Sequence, residues 1–326
     1  MSKLISYAFC LVVAVLVVYA FSPRSEETAS VAQLDVTRVH INNMTRLDDT
    51  LIAVGERGTI LFSEDKGQTW NVRHEQPKKP VTLTAIAAYG KETILAVGHD
   101  NLILRSTDRG RNWTTTMYDA ALGEPLLGLW SEDGQQIYAF GSFGKFYVSA
   151  DAGEHWSEQS LPINGEHLNS MDGAADGRRI LVGEMGLVLR TLDAGKSWAQ
   201  VEPFYEGSLF GVSRLSGSHW VAYGMRGNVF ATHDDGATWE KVELGHRLPL
   251  YGHARTDDGG VLIVGSGGAF ARLDETGELT QTGYVKGQDT LTSAVMLRDG
   301  SLIVAGQHGL RLQGPDLFAA VNKERS

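Results

Sequence analysis

The sequence repeats one eight-residue pattern, S/T-x-D-x-G-x-x-W, five times at nearly constant spacing. The tryptophans of successive copies lie 43, 43, 42 and 41 residues apart. A period of this length is typical of repeat folds, in which one supersecondary unit recurs and stacks on its neighbours. The five copies, called boxes below, are SEDKGQTW (63–70), STDRGRNW (106–113), SADAGEHW (149–156), TLDAGKSW (191–198) and THDDGATW (232–239).

A second pattern, a pair of glycines ahead of each box, extends the repeat to seven units. The first glycines are at positions 55, 98, 141, 183, 224, 265 and 306. In the second unit, turn residues separate four predicted strands, LTAIAAY (83–89), TILAVG (93–98), LILRS (102–106) and NWTTT (112–116). Units of this length with four strands each are typical of propeller blades. The sequence therefore predicts an all-β, seven-bladed β-propeller of four-stranded blades over residues 36–326.

The turn between the second and third strands of each blade is expected to be a three-residue loop that ends in the left-handed region. Glycine occupies that last position in six units. In the second unit Asn101 takes its place, and asparagine tolerates a positive φ better than most residues. The six glycines are Gly58, Gly144, Gly186, Gly227, Gly268 and Gly309.

The seventh unit ends after its third strand, near Leu312. A ring that does not close leaves two sheet edges unpaired. We therefore predict that residues 28–35, from the other end of the chain, supply the fourth strand of the last blade.

The amino terminus carries an apolar segment at residues 4–21, with Lys3 before it and Arg24 after it. Such a segment is either the core of a signal peptide or a membrane span, since about 20 residues cross a bilayer. We predict that residues 1–24 form an uncleaved anchor in the inner membrane and residues 25–35 a tether and closing strand. The propeller would then be periplasmic.

The charge and cysteine content exclude some functions for the exported part. Beyond residue 24 the chain has 27 Lys and Arg against 39 Asp and Glu, a formal charge of −12. An acidic surface argues against nucleic acid and anionic lipid headgroups as ligands. Cys10 is the only cysteine, so the exported part has no disulfide and no thiol nucleophile.

Each box residue has an expected structural role in the turn between the third and fourth strands. The aspartate can accept backbone N–H bonds, the glycine supplies an unusual backbone angle, and the tryptophan buries apolar area between blades. A catalytic centre needs different groups that converge on one point, whereas these copies are equivalent. We therefore assign them to the scaffold: Asp65, Trp70, Asp108, Trp113, Asp151, Trp156, Asp193, Trp198, Asp234 and Trp239.

The box is the Asp-box, or bacterial neuraminidase repeat. Together with the glycine frame, the seven units and the predicted exported start, the whole chain resembles the photosystem II stability/assembly factor family. The resemblance implies a seven-bladed propeller that assists assembly of a membrane complex on the lumenal or periplasmic side. Photosynthetic members are often lipoproteins or carry a transit peptide, and this amino terminus departs from both, so a bacterial relative is expected.

Three kinds of chemistry are alternatives to a scaffold role. Sialidases also carry Asp-boxes, but no R-I-P segment and no separate arginine triad occur in this sequence. Glu56, Asp100 and Glu184 could include the acid/base pair of a glycosidase, although nothing fixes their spacing. His308, Glu56, His99 and Asp100 lie on contiguous blades and could gather a metal ion. We predict no catalytic residue, metal or cofactor.

Recognition is expected at the turns between the second and third strands, since their tips vary while the frame around them does not. The candidate binding residues there are Arg57, His99, Asp100, Phe143, Arg226 and His308. Arg57 and Arg226 share one turn position and could contact an acidic loop of a partner; alternatively, Arg57 could pair with Asp100. We expect a monomer that binds a membrane protein or envelope complex subunit as a non-enzymatic assembly factor. The alternative is an exported glycan-binding or glycoside-hydrolysing propeller.

Overall fold

The computed structural model describes residues 35–315, except 37, 73–80 and 288–289, together with residues 7, 12, 13 and 317. Its strands all belong to one compact unit, Asp35–Ser326. Among the described residues, no helix combines the length and the hydropathy that a bilayer span requires. All but three residues of the predicted anchor, and nearly all of the predicted closing strand, lie outside the described residues, so both remain predictions.

The described strands form seven antiparallel sheets, each built from strands that are consecutive along the chain. Six sheets have four strands and the seventh has three. Blade 1 contains β1 (Ile41–Leu47), β2 (Thr50–Gly55), β3 (Ile60–Ser63) and β4 (Asn71–Val72); blade 2 contains β5 (Leu83–Tyr89), β6 (Thr93–Gly98), β7 (Ile103–Ser106) and β8 (Thr114–Met117); blade 3 contains β9 (Leu126–Trp130), β10 (Ile137–Gly141), β11 (Phe146–Ser149) and β12 (Ser157–Glu158).

The remaining blades repeat this order. Blade 4 contains β13 (Leu168–Gly173), β14 (Arg179–Gly183), β15 (Val188–Thr191) and β16 (Ala199–Gln200); blade 5 contains β17 (Leu209–Arg214), β18 (Trp220–Gly224), β19 (Val229–Thr232) and β20 (Glu240–Val242). Blade 6 contains β21 (Leu250–Arg255), β22 (Val261–Gly265), β23 (Ala269–Leu273) and β24 (Leu279–Tyr284); blade 7 contains β25 (Leu291–Met296), β26 (Leu302–Gly306) and β27 (Gly309–Gln313). The predicted seven-bladed all-β propeller is confirmed.

The ring is closed by packing between blade 7 and blade 1. Seven apolar clusters fill the seven spaces between neighbouring blades, and one of them joins Ile41 and Leu51 of blade 1 to Ile303 and Leu310 of blade 7. At the outer edge of blade 7, the backbone N–H of Leu310 donates to the carbonyl of Val36 at 3.3 Å. The chain entering blade 1 therefore contacts the edge that the predicted closing strand would cover.

A set of polar side chains ties the inner strands together. Asn42, Thr84, Asn169 and Thr292 each donate to a backbone carbonyl at the start of the next blade's inner strand, at 2.5–2.8 Å. The Thr292 bond to the carbonyl of Ile41 spans the closure of the ring. The same position holds Leu127, Phe210 and Tyr251 in the other three blades, and among the described residues these side chains form no equivalent bond.

The turns between the second and third strands differ from prediction in one respect. The last residue of each loop has a positive φ as predicted, including Asn101 at 50°. The residue before it is also left-handed in at least six blades, for example Arg57 at φ 54° and Phe143 at φ 54°. Two successive left-handed residues define a type I′ turn, whose twist matches that of the flanking strands. Glu56 and Thr59 close the first such turn with a 3.0 Å backbone hydrogen bond.

Candidate functional site

The propeller has two faces, which are built from different turns. The box face carries the boxes and the turns between the first and second strands. The hairpin face carries the turns between the second and third strands, together with the segments that join one blade to the next.

On the box face, each box aspartate is occupied by hydrogen bonds within its own turn. One carboxylate oxygen accepts the backbone N–H of the residue four positions later at 2.9 Å in all five boxes. The other oxygen contacts the side chain of that same residue at 2.5–2.7 Å. The side chains involved are polar in every box and could have been identified from the sequence: Thr69, Asn112, His155, Ser197 and Thr238.

The first residue of each box completes the network. The Ser or Thr hydroxyl lies 2.7–2.8 Å from the aspartate and accepts the N–H of the box glycine at 2.7–3.1 Å. Box glycines have φ between 78° and 86°. In the second box, a Cβ on Gly110 would come within 2.5 Å of Phe62 on blade 1, so the turn also packs closely against the preceding blade.

The hydrogen bonds lower the pKa of the aspartates on the box face. Hydrogen bonds from the side chain and backbone of Thr69 lower the pKa of Asp65 to about 2. In Asp108, burial opposes ionisation, but hydrogen bonds from Asn112 and Ser106 still lower the pKa to about 2. Ten described aspartates have a lowered pKa, and all ten lie on the box face: Asp65, Asp108, Asp133, Asp151, Asp176, Asp193, Asp234, Asp258, Asp274 and Asp299.

The box tryptophans are half-buried and pack between blades. Each contacts the apolar cluster that separates its own blade from the preceding one; Trp113, for example, packs on the cluster of blades 1 and 2. Trp70, Trp156, Trp198 and Trp239 do the same at four further interfaces. The box therefore locks a turn and also joins two blades.

On the hairpin face, the predicted binding residues lie at the turn tips. Arg57, His99, Phe143, Arg226 and His308 are exposed and Asp100 is half-buried. Glu56 and His99 line one surface depression between blades 1 and 2, and Glu56 also contacts Nδ1 of His40 at 3.1 Å. The six residues belong to five different blades. They are therefore distributed around the rim of the hairpin face and do not form one compact pocket.

Among the described residues, neither Arg57 nor Arg226 forms an ion pair, and the alternative contact between Arg57 and Asp100 is not present. Arg226 lines a depression of about 380 Å³ together with Lys241 and Arg247. Lys241 is neutralised by Glu243 at 2.8 Å. The two remaining guanidinium groups can therefore receive a carboxylate from outside the chain.

Large apolar side chains are exposed mainly on the hairpin face. Within the described part of the propeller, nine large apolar side chains are exposed, and six of them lie on this face. Those six are Tyr118, Leu122, Phe143, Met185, Met225 and Tyr284; the other three are Tyr251, which lines the central channel, Leu192 and Leu312. Clustered apolar exposure on one face is typical of an interaction surface.

The candidate acid/base and metal residues do not come together as an ion site. Of the residues described, one group of three potential ligands has all its ligand atoms within 4.8 Å of one another, and it is Asp151, Glu154 and His155 in the third box. That group lies on the box face, and its glutamate is engaged by Arg105 at 3.3 Å. Glu56, His99, Asp100 and His308 are not such a group.

The central channel holds a polar network that the sequence reading missed. Asp172 accepts hydrogen bonds from the Trp130 indole, the Gly173 and Arg214 backbones and the Arg255 guanidinium, which belong to blades 3, 4, 5 and 6. The Tyr223 hydroxyl lies 2.6 Å from Nδ1 of His253. Burial lowers the pKa of His253 to about 4, so the ring is neutral at neutral pH. Asp172, Tyr223 and His253 line a channel of about 540 Å³.

Comparison with known proteins identifies the family. The family model for the photosynthesis system II assembly factor YCF48 matches residues 25–160 and again residues 130–289. The chain belongs to the YCF48 family. Comparison with curated protein sequences gives no match.

Solved structures agree with the seven-bladed fold. A structure of YCF48 bound to a D1 peptide superposes with a TM-score of 0.68 at 17% identity, covering 85% of this chain and 93% of that one. YCF48 from Cyanidioschyzon merolae gives a TM-score of 0.66 at 16% identity, covering 85% and 95%. Virginiamycin B lyase from Staphylococcus aureus gives 0.72 at 9% identity, covering 84% and 94%. At these identities the likeness extends to the fold alone.

Proposed function

We propose that this YCF48-family propeller is a non-enzymatic scaffold that binds a subunit of a membrane protein complex through its hairpin face. The observation that carries the proposal is the position of six of the nine exposed large apolar side chains on that face. Membership of an assembly factor family supports it, as does the D1 peptide bound by one YCF48 structure. The client could be a photosystem core subunit, a transporter or another membrane complex.

We place the chain as a monomer outside the cytoplasm, held at the inner membrane by residues 4–21. This placement rests on the apolar segment and its flanking basic residues. An anchored propeller would be held close to clients in the same membrane.

Arg57 and Arg226 are proposed to bind an acidic segment of the client. Arginine offers a planar set of donors that matches a carboxylate, and it is enriched at interface hot spots. Both side chains are exposed at the same turn position of blades 1 and 5. The chain is acidic overall, so unpaired arginines are the points on its rim that would attract acidic groups.

The test is capture of membrane proteins by the full-length chain and by the Arg57→Ala/Arg226→Ala variant. We expect the variant to lose most client capture, since loss of a hot spot costs about 2 kcal/mol or more of binding. Its melting temperature should change by only a few degrees, because exposed charges contribute about 0–1 kcal/mol to folding. An Arg111→Ala/Arg298→Ala variant, exposed but on the box face, is the matched control. Full capture by the hairpin variant would contradict this assignment.

Glycan binding is a second candidate, favoured by the polar lining of the channel, which includes Asn169, Tyr251 and His253. A ligand that binds only the folded state stabilises it by an amount that grows with the ligand concentration relative to the dissociation constant. A panel of sugars and metal ions should leave the melting temperature unchanged under the scaffold proposal. A clear increase with one sugar would favour the glycan-binding alternative.

A further inference from the structure

Two turn tips on the hairpin face combine backbone strain with apolar exposure. Phe143, at the tip of blade 3, has φ 54° and ψ 35° and is 62% exposed. Met185, at the equivalent position of blade 4, has φ 54° and ψ 30° and is 74% exposed. Blade 6 has Gly267 there. A left-handed backbone is unfavourable for a residue with a bulky side chain. Because the side chain also stays exposed, its apolar surface contributes no stabilisation by burial when the chain folds. Both features disfavour folding, and strained residues of this kind cluster at functional sites.

The two tips belong to one continuous patch. The rings of Phe143 and His167 meet edge to face, with centroids 4.8 Å apart. Nδ1 of His167 lies 3.4 Å from the carboxylate of Glu184, which is the residue before Met185. On the other side, the N–H of Gly186 donates to the carbonyl of Gly207 at 2.8 Å, which holds the tip of blade 4 beside the segment that contains Glu206.

Acidic side chains surround this patch. The hairpin-face segments of blades 3 and 4 and the segments that follow them contain Glu158, Glu166, Glu184, Glu202 and Glu206. Their one lysine or arginine is Lys145, which is neutralised by Glu158 at 3.2 Å. Glu202 and Glu206 are exposed, and within the described part of the chain neither forms an ion pair. Blades 5 and 6 present the opposite sign on the same face, with Arg226 and Arg247.

We propose that Phe143, Met185, Glu202 and Glu206 form a docking site for a polypeptide segment in which basic residues alternate with apolar ones. The apolar residues would pack on the Phe143 ring and the flexible Met185 thioether, which adapts to different shapes. The basic residues would face the glutamates. This inference rests on the proposed scaffold function and adds the chemistry of a second client segment. Opposite charges on adjacent blades would also fix the direction in which the client lies.

The test uses the full-length chain and three fluorescent peptides of equal length. In the first, lysines alternate with phenylalanine and leucine; in the second, glutamates replace the lysines; in the third, serines replace the apolar residues. We expect the first peptide to bind, measured by fluorescence anisotropy, and the other two to bind at least about ten-fold more weakly, since each lacks one of the two contacts. Equal binding of the first two peptides would overturn the proposal.

Two variants locate the binding. Phe143→Asn/Met185→Asn introduces asparagine, which tolerates a left-handed backbone. We expect this variant to keep its melting temperature and to bind the first peptide at least about ten-fold more weakly. Glu202→Lys/Glu206→Lys should reverse the preference between the lysine and glutamate peptides. Leu192→Asn, on the box face and 58% exposed, is the matched control and should bind as the unmodified chain does. Unchanged binding by both hairpin variants would also overturn the proposal.

Client capture separates this inference from the proposed function. If the Arg57→Ala/Arg226→Ala variant loses the client and Phe143→Asn/Met185→Asn retains all of it, this inference is wrong and the scaffold function stands. If the unmodified chain captures no membrane protein, the scaffold function itself is wrong.

Discussion

The two faces of the propeller share one backbone conformation in their turns but differ in what the side chains of those turns do. Box turns contain two successive left-handed residues, such as Arg109 and Gly110, and so do the hairpin turns, such as Phe143 and Gly144. On the box face, hydrogen bonds from Asp and Ser or Thr offset the strain within the turn itself. On the hairpin face, bulky side chains at the strained position point outward. Repetition with side-chain hydrogen bonds inside the turn therefore indicates scaffold, whereas variable, exposed side chains at a left-handed position indicate recognition.

The largest difference in stability loss between the two faces is expected for glycine substitutions in their turns. Gly110→Ala on the box face combines a left-handed alanine, about 1–2 kcal/mol, with overpacking against Phe62, about 1–3 kcal/mol. Gly267→Ala on the hairpin face meets only the end of the Leu248 side chain, at 3.3 Å, and should destabilise by about 1–2 kcal/mol. Urea unfolding measures both. Equal losses would show that the box turn is no more tightly packed than the hairpin turn.

Removal of a box carboxylate should have the next largest effect. Asp108→Ala leaves the Asn112 backbone and side-chain donors and the Ser106 hydroxyl without their acceptor. We expect a loss of about 1–3 kcal/mol in the free energy of unfolding. Binding by the folded fraction should be intact. A variant that folds normally but no longer captures its client would contradict the scaffold assignment of the boxes.

Acid should weaken the box face within a defined pH range. The pKa of Asp65, Asp108, Asp193 and Asp234 is lowered from 3.8 to about 2, so the folded state holds these carboxylates ionised more strongly than the unfolded chain does. Their contribution is complete above about pH 5 and is lost progressively as the pH falls through 3.8 towards 2. Melting temperatures recorded across this range should fall steeply, and an Asp65→Asn variant should show a shallower fall. An identical slope for the variant would show that this carboxylate does not contribute.

The smallest change in stability is expected at the hairpin tips. Phe143→Asn replaces a strained bulky residue with one that tolerates the left-handed region. The free energy of unfolding should remain unchanged or rise by up to about 1 kcal/mol. Chemical denaturation provides the measurement. A loss of more than about 1 kcal/mol would mean that the Phe143 side chain is packed for stability, like a box tryptophan.

The repeat made the fold predictable to within a few residues. In the second blade, strands predicted at 83–89, 93–98, 102–106 and 112–116 are found at Leu83–Tyr89, Thr93–Gly98, Ile103–Ser106 and Thr114–Met117. Each unit contains its own strand and turn signals, so one correct unit predicts the others. The fourth strand begins later than predicted because Trp113 packs into the space between blades and does not pair in the sheet.

The candidate site was less predictable because its properties arise between repeats. The first left-handed position of the hairpin turn is held by Arg, Asp, Phe and Met in different blades, so no residue type marks it. Asp172 gathers donors from four blades, which no single repeat contains. The polar residue before each box tryptophan, in contrast, recurs at a fixed position and could have been assigned from the sequence.

Site-specific photo-crosslinking tests the central contrast between the faces most directly. A photoreactive phenylalanine analogue at position 143 or at position 192 replaces side chains of similar exposure, 62% and 58%, on opposite faces. We predict that irradiation of membranes containing the full-length chain links position 143 to a client protein and leaves position 192 unlinked. Crosslinks from position 192 alone, or equally from both positions, would contradict the assignment of recognition to the hairpin face.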